Sequence, residues 1–286
     1  MIRTLLAATI ICIAPPTALA QDTGSYADIN GMEMYYEVSG TGAPLVVLHG
    51  AYMNIETMGE IIPRLARSHT VYALELQGHG RTNDIDRPIT YPGLADDVAT
   101  FMDQVGLEQA DIFGYSMGAA VGLQLAIRHP DKVDQLVAAS VAYDASGWQP
   151  AFTAFIPSMT PDMFVGGPME EAWQELAPNP EGFRAFAERL IQLEKEPMAW
   201  EDDVRALETP VLIIAGDADV STLEHNVALF RLLGGGDMGD MGVPLPASRL
   251  AVLPATSHTA VINQVDLLHG FIEPFLQGQT PRGMFE

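Results

Sequence analysis

The sequence predicts an α/β protein: a mostly parallel, doubly wound sheet with a helical cap inserted after the sixth strand. Three observations carry this. From about residue 26, short apolar runs alternate with helix-length segments whose apolar residues fall on one face. Several of the runs end directly on glycine-rich turns. The alternation then stops over residues 144–205 and resumes beyond them.

Taken in order, residues 34–38 read as an early strand, and residues 45–48 as a buried strand entering His49-Gly50. Residues 71–74 form another strand, before the turn Gln77-Gly78-His79-Gly80. Residues 94–105 have helical spacing, with Leu94, Val98, Phe101, Met102 and Val105 on one face. A very short strand at 111–113 runs into Gly114, and a helix over 119–128 is stopped by His129-Pro130. Residues 133–139 are a further buried strand, and the pattern returns at 211–215 and 250–253.

Between them, residues 144–205 contain no strand pattern and are rich in proline, methionine and aromatics, with one longer helix expected over 181–196. Ligands of open α/β sheets bind over the carboxyl ends of the strands, where an insertion at this point sits. It therefore reads as a lid; the plainer alternative is an ordinary helical part of the core. Residues 234–246 hold three glycines, Asp-Met-Gly-Asp-Met-Gly and two prolines, and are expected to form a long loop before the last strand.

With 286 residues, 48% of them hydrophobic, the chain can close one sizeable core. The formal net charge is −23 and the only lysines are Lys132 and Lys195. An acidic surface repels phosphate backbones and anionic lipid, so neither nucleic acid nor a membrane surface is an expected partner. Arg3, the apolar run 5–14 and Ala18-Leu19-Ala20 ahead of Gln21 have the layout of a secretory signal peptide. The expected organisation is a leader over 1–20, a core over 21–143 and 206–286, and a cap over 144–205, with the mature chain periplasmic or secreted; an uncleaved anchor is the alternative. Cys12, the single cysteine, falls inside the leader. The mature chain then has no thiol, which excludes disulfides, a cysteine nucleophile and thiolate metal sites.

Gly114-Tyr115-Ser116-Met117-Gly118 lies between a short strand and a helix that continues through Ala119, Ala120 and Gly122. A serine on so sharp a turn projects above the sheet beside a helix N-terminus, as a nucleophile requires. Its hydroxyl needs a base, and the base an orienting acid. On this kind of strand–turn–helix the order along the chain is serine, acid, histidine. Of His225, His258 and His269, only His258 follows the last strand on a loop able to reach back over the sheet; His225 and His269 fall in helices. Asp219 is the preferred acid, at the end of the strand 211–215. Asp217 beside it reads as a turn former, and Asp144 is a minor alternative.

Backbone N–H groups of Met117, at the helix start, and of Ala51, in the loop His49-Gly50-Ala51-Tyr52, are the expected oxyanion donors. His49 reads as shaping that loop. Tyr52, Trp148, Phe152 and Met159 are the expected substrate contacts. No cofactor is expected, and no metal, because Asp217 and Asp219 lack histidines at ligand spacing.

His49-Gly50, Gln77-Gly78-His79-Gly80-Arg81-Thr82, Gly114-Tyr115-Ser116-Met117-Gly118, Gly216-Asp217-Ala218-Asp219 and Ser257-His258 occur in the order and spacing of the α/β-hydrolase superfamily. The chain resembles its capped, single-domain branch over about residues 30–277. That branch includes haloperoxidase-like esterases, enol-lactonases and carbon–carbon bond hydrolases. The resemblance implies a Ser116–His258–Asp219 triad with Ala51 and Met117 as oxyanion donors. One departure is Glu75, where many relatives carry aspartate. Relatives that open epoxides or dehalogenate use an aspartate nucleophile, and Ser116 speaks against those reactions. The expected activity is cleavage of a small-molecule ester or lactone. The alternatives are carbon–carbon hydrolysis or perhydrolysis on the same triad, and a non-catalytic binding protein on this fold.

Overall fold

In the computed structural model of the chain, residues 24–239 and 243–281 are described. The expected leader over 1–20, Cys12, and residues 240–242 of the glycine-rich loop lie outside them. Among the described residues, eight strands form one sheet: β1 (Ser25–Ile29), β2 (Met32–Gly40), β3 (Ala43–Leu48), β4 (His69–Leu74), β5 (Ala110–Tyr115), β6 (Val133–Ala139), β7 (Val211–Ala218) and β8 (Arg249–Ser257). Their spatial order is β1-β2-β4-β3-β5-β6-β7-β8. The pairs β1–β2 and β2–β4 are antiparallel and all the others parallel. β1 adds to the strands read from the sequence and makes β6 the sixth. It turns into β2 through Asn30-Gly31, both at positive φ (50° and 93°), the backbone a two-residue hairpin demands.

Side chains alternate across the central strands, and this sorts them into two apolar layers. Val46, Leu48, Ile112, Leu136, Ala138 and Ile213 face one layer; Leu45, Val47, Phe113, Val137, Leu212 and Ile214 face the other. The first layer is covered by α2 (Tyr91–Gln104) and α3 (Met117–Arg128), together with Leu229 of α8 (Leu223–Leu232). The second is covered by α1 (Ile61–Leu65) and α9 (Val265–Leu276). α3 begins two residues earlier than its spacing suggests, directly after Ser116. It lies close against the sheet because it carries glycines there. A Cβ on Gly118 would stand 2.3 Å from the Leu48 carbonyl oxygen, and one on Gly122 would stand 2.7 Å from a Leu136 methyl.

Between β6 and β7 the chain forms α4 (Pro150–Phe155), α5 (Pro168–Gln174), α6 (Phe183–Lys195) and α7 (Glu201–Arg205), linked by short 3₁₀ turns. Among the described residues this stretch holds no strand, only isolated bridges from Asp144 to Ala199 and from Trp148 to Ser221. The helix expected over 181–196 is α6, preceded by a 3₁₀ turn at Pro180–Gly182. Its Phe183, Phe186, Ala187, Leu190 and Leu193 join the same apolar layer as α2 and α3, so the insertion shares the core of the sheet. Polar ties add to this. Trp173 Nε1 donates to the Gly78 carbonyl at 2.8 Å, and Arg189 pairs with Asp84 at 2.6 Å and Asp86 at 3.2 Å. No helix among the described residues is long and apolar enough to cross a membrane.

Candidate active site

Ser116 sits where β5 ends and α3 begins, with φ 54° and ψ −117°. A non-glycine residue there stores about 1–3 kcal/mol of strain, so the surroundings must hold it. Its N–H donates to the Ala139 carbonyl of β6 at 2.8 Å, and its carbonyl accepts from Ala119 and Ala120 at 3.0 and 3.1 Å. The main chain is thereby bonded on both sides and the hydroxyl projects beyond the strand ends.

His258 opens the 3₁₀ turn His258–Asn263. It follows β8, which runs to Ser257, four residues past its apolar part. Asp217 steers this segment by accepting from the Ala255 and Thr256 N–H groups at 2.8 and 2.9 Å, with Ala255 at φ 52°. Those two bonds hold the Asp217 carboxyl below its ordinary value. Tyr115 donates its hydroxyl to the His258 carbonyl at 2.8 Å, and its ring stacks on the imidazole at 5.5 Å.

The imidazole lies between two partners. His258 Nδ1 is 2.7 Å from Asp219 Oδ1, and Nε2 is 3.0 Å from Ser116 Oγ. With Nδ1–H directed to the carboxylate, Nε2 is free to accept the serine proton. The Asp219 carboxylate is fully buried and takes three further donors. The Ser140 hydroxyl reaches Oδ2 at 2.6 Å, the Gly216 N–H reaches Oδ2 at 3.2 Å, and the Val220 N–H reaches Oδ1 at 2.7 Å. Burial alone raises its carboxyl. The bond to His258, its charge, and the Ser140 and Gly216 donors outweigh that and hold it below the usual range.

The other candidates are engaged elsewhere. Asp144 accepts from the Ser146 N–H at 2.8 Å and caps a short turn. His225 accepts from the Tyr143 N–H at 3.2 Å and stacks on that ring at 4.2 Å, and burial lowers its pKa. His269 faces Glu273 one helical turn away, at 3.8 Å.

In the loop after β3, His49 is buried and shapes the backbone, as its position implies. Its Nδ1 meets the Gly50 carbonyl at 2.8 Å and its Nε2 accepts from the Leu76 N–H at 3.1 Å. Burial pulls its pKa down to about 4, so it stays neutral. The Tyr52 N–H is taken by His79 Nε2 at 3.3 Å. Ala51, the residue before Tyr52, and Met117, at the start of α3, both line the cavity beside Ser116. Glu75 explains its own departure from aspartate: the longer side chain reaches Arg81 at 2.8 Å, and a Cβ at Gly80 would stand 2.2 Å from its carboxyl carbon.

A cavity of about 250 Å³ joins these parts. Ser116, His258, Ala51 and Met117 line it together with Tyr52, Trp148, Phe152 and Met159, so all the expected contacts meet in one place. The sequence reading did not single out Tyr115, Ser140, His79 or Glu194, which also lines the cavity. Ser140 carried a usable signal, a polar residue closing an apolar strand; Tyr115 and His79 lay inside motifs read for their glycines.

Residues 43–163 match the family described as the alpha/beta hydrolase fold, and the chain has that fold. That match includes Ser116 but stops before Asp219 and His258. The chain is 37% identical over 109 residues to the dihydrolipoyllysine-residue acetyltransferase component of the acetoin cleaving system of Cupriavidus necator (38% of this chain, 29% of that protein). It is 33% identical over 117 residues to the soluble epoxide hydrolase of a Corynebacterium species (40% of each). The aligned stretches thus span well under half of these curated relatives. Among solved structures, the enol-lactonase of Burkholderia xenovorans superposes with a TM-score of 0.65 at 20% identity, over 88% of this chain and 99% of that one. A thermophilic esterase of Thermogutta terrifontis does so with a TM-score of 0.66 at 21% identity, over 91% and 99%. These likenesses are of fold.

Proposed function

We propose that this chain hydrolyses a carboxylic ester or lactone through an acyl-enzyme on Ser116. The observation that carries this reading is the unbroken hydrogen-bond chain Ser116–His258–Asp219, with distances of 3.0 and 2.7 Å, opening on a largely apolar cavity. Ser116 Oγ attacks the carbonyl carbon while His258 Nε2 takes its proton, and Asp219 stabilises the resulting imidazolium. The Ala51 and Met117 N–H groups receive the oxyanion. Collapse expels the alcohol, or the ring oxygen of a lactone, which takes the proton back from His258. Water, deprotonated by His258, then attacks the acyl carbon, and the acid leaves as Ser116 regains its proton.

An aspartate-nucleophile route to epoxides needs a carboxylate at position 116, where a serine stands. The helices of 144–205 form the cap in this reading. Export to the periplasm or beyond is supported by the leader pattern at residues 1–20. The test is labelling by a fluorophosphonate together with turnover on ester, lactone and diketone panels. Ser116→Ala is expected to abolish labelling and lower kcat by about 10⁴ or more. A purified, folded variant that keeps most of its turnover would remove Ser116 from the mechanism.

A further inference from the structure

Among the described residues, Glu194 is the one acidic side chain lining the cavity beside Ser116 and His258, and no lysine or arginine lines it. It stands on α6 one turn beyond Leu190 and Ile191, both buried, at a position where an amphipathic helix ordinarily carries an apolar residue. Among the described residues it has no hydrogen-bond partner. Burial raises its carboxyl and only the nearby His258 opposes this. Its charge is felt by two cavity tyrosines, Tyr52 and Tyr91. The Tyr52 hydroxyl is itself buried without a partner among the described residues.

A carboxylate in an apolar cleft, left unpaired by the protein, is unfavourable for the empty site. A neutral hydroxyl satisfies a lone pair and leaves the charge unmet. An anionic substrate is repelled. An ammonium ion meets the charge, and its alkyl groups lie on ring faces that attract cations. The side chains of Tyr52, Tyr91, Trp148 and Phe152 line the cavity.

We propose that the cavity seats an ammonium group between Glu194 and these aromatic rings, so that the esters cleaved at Ser116 carry a positive charge. The substrate class rests on the reading of Ser116 as nucleophile; the cation seat does not.

Two measurements separate these. In the first, the Ser116→Ala protein is titrated with tetramethylammonium or choline, followed by calorimetry and by tryptophan fluorescence. Saturable binding is expected, and it is expected to disappear in the Ser116→Ala, Glu194→Gln double variant and to persist in part with Glu194→Asp. In the second, 2-(trimethylammonio)ethyl acetate is compared with its uncharged isostere, 3,3-dimethylbutyl acetate. The charged ester is expected to have kcat/KM at least about tenfold higher, and Glu194→Gln is expected to bring the ratio close to one. Binding without any ester turnover would overturn the esterase reading and leave the cation seat standing. Turnover of both esters at equal rates, or absence of cation binding, would overturn the seat and leave the esterase.

Discussion

Asp217 and Asp219 stand two residues apart at the end of β7 and have different tasks. Asp219 is buried, holds the His258 ring and is itself held by Ser140 and two backbone N–H groups. Asp217 is exposed and accepts from two N–H groups of the segment that leads to His258. Asp219→Asn keeps the shape and offers His258 the wrong partner, so kcat is expected to fall by roughly 10³–10⁴. Asp217→Asn sets an amide N–H against a backbone N–H and loosens the loop. It is expected to lower Tm while costing under about tenfold in kcat. Asp144→Asn, remote from His258, is expected to change kcat still less. Steady-state kinetics beside thermal unfolding decide this, and a larger kcat loss at Asp217 or Asp144 would reassign the acid. The hydrogen-bonded arrangement of Ser116, His258 and Asp219 was legible in the sequence because each of the three follows a strand end, and strand ends are marked by glycine or by the close of an apolar run. The residues that orient the triad were not, since Ser140 and Tyr115 act through partners 79 and 143 positions away.

At the scale of elements, periodicity located all the parallel strands and the principal helices but missed β1. The signal for β1 was the Asn30-Gly31 turn rather than apolar content, because only Ala27 and Ile29 of that strand are buried. α6 shows the reverse. Its apolar stripe was readable, and Glu194 interrupts that stripe one turn after Leu190 and Ile191. The interruption gains meaning only when the cavity is seen.

The start of the insertion between β6 and β7 is knitted to the turn after Asp219: the Gln149 N–H donates to the Val220 carbonyl at 2.7 Å, and the Thr222 N–H to the Gly147 carbonyl at 2.8 Å. Trp148 and Phe152 are thus anchored near the triad while their half-buried rings, packed edge to face at 5.5 Å, line the cavity. Truncating either ring to alanine is expected to shift the relative kcat/KM across a graded series of acyl chain lengths by about tenfold or more. The pH profile is expected to stay in place, since neither ring touches the triad's proton path. Met159 is buried, so Met159→Ala is expected to lower Tm as well. If each variant scales every substrate down by one common factor, the cap is scaffolding and selectivity lies in the Ala51–Tyr52 loop.

The charge of the whole molecule acts over a longer range than any of these contacts. Thirty-seven acidic residues against fourteen basic ones leave a formal charge of −23. Such a field enriches cations near the surface and depletes anions, and it is screened over about 30 Å at 0.01 M salt but about 8 Å at 0.15 M. Raising ionic strength across that range is therefore expected to lower kcat/KM for 2-(trimethylammonio)ethyl acetate by about threefold or more. The uncharged 3,3-dimethylbutyl acetate is expected to change by under about twofold. Glu194→Gln changes the net charge only from −23 to −22, so it is expected to abolish the preference between the two esters at 0.15 M salt while leaving most of the salt dependence of the charged one. This separates the local seat from the global field, because contact inside a cavity is screened little and attraction from outside is screened strongly. A salt dependence that disappears with Glu194 would place the whole effect in the cavity. An equal loss on the uncharged ester would mean that salt acts on the enzyme rather than on the approach of the cation.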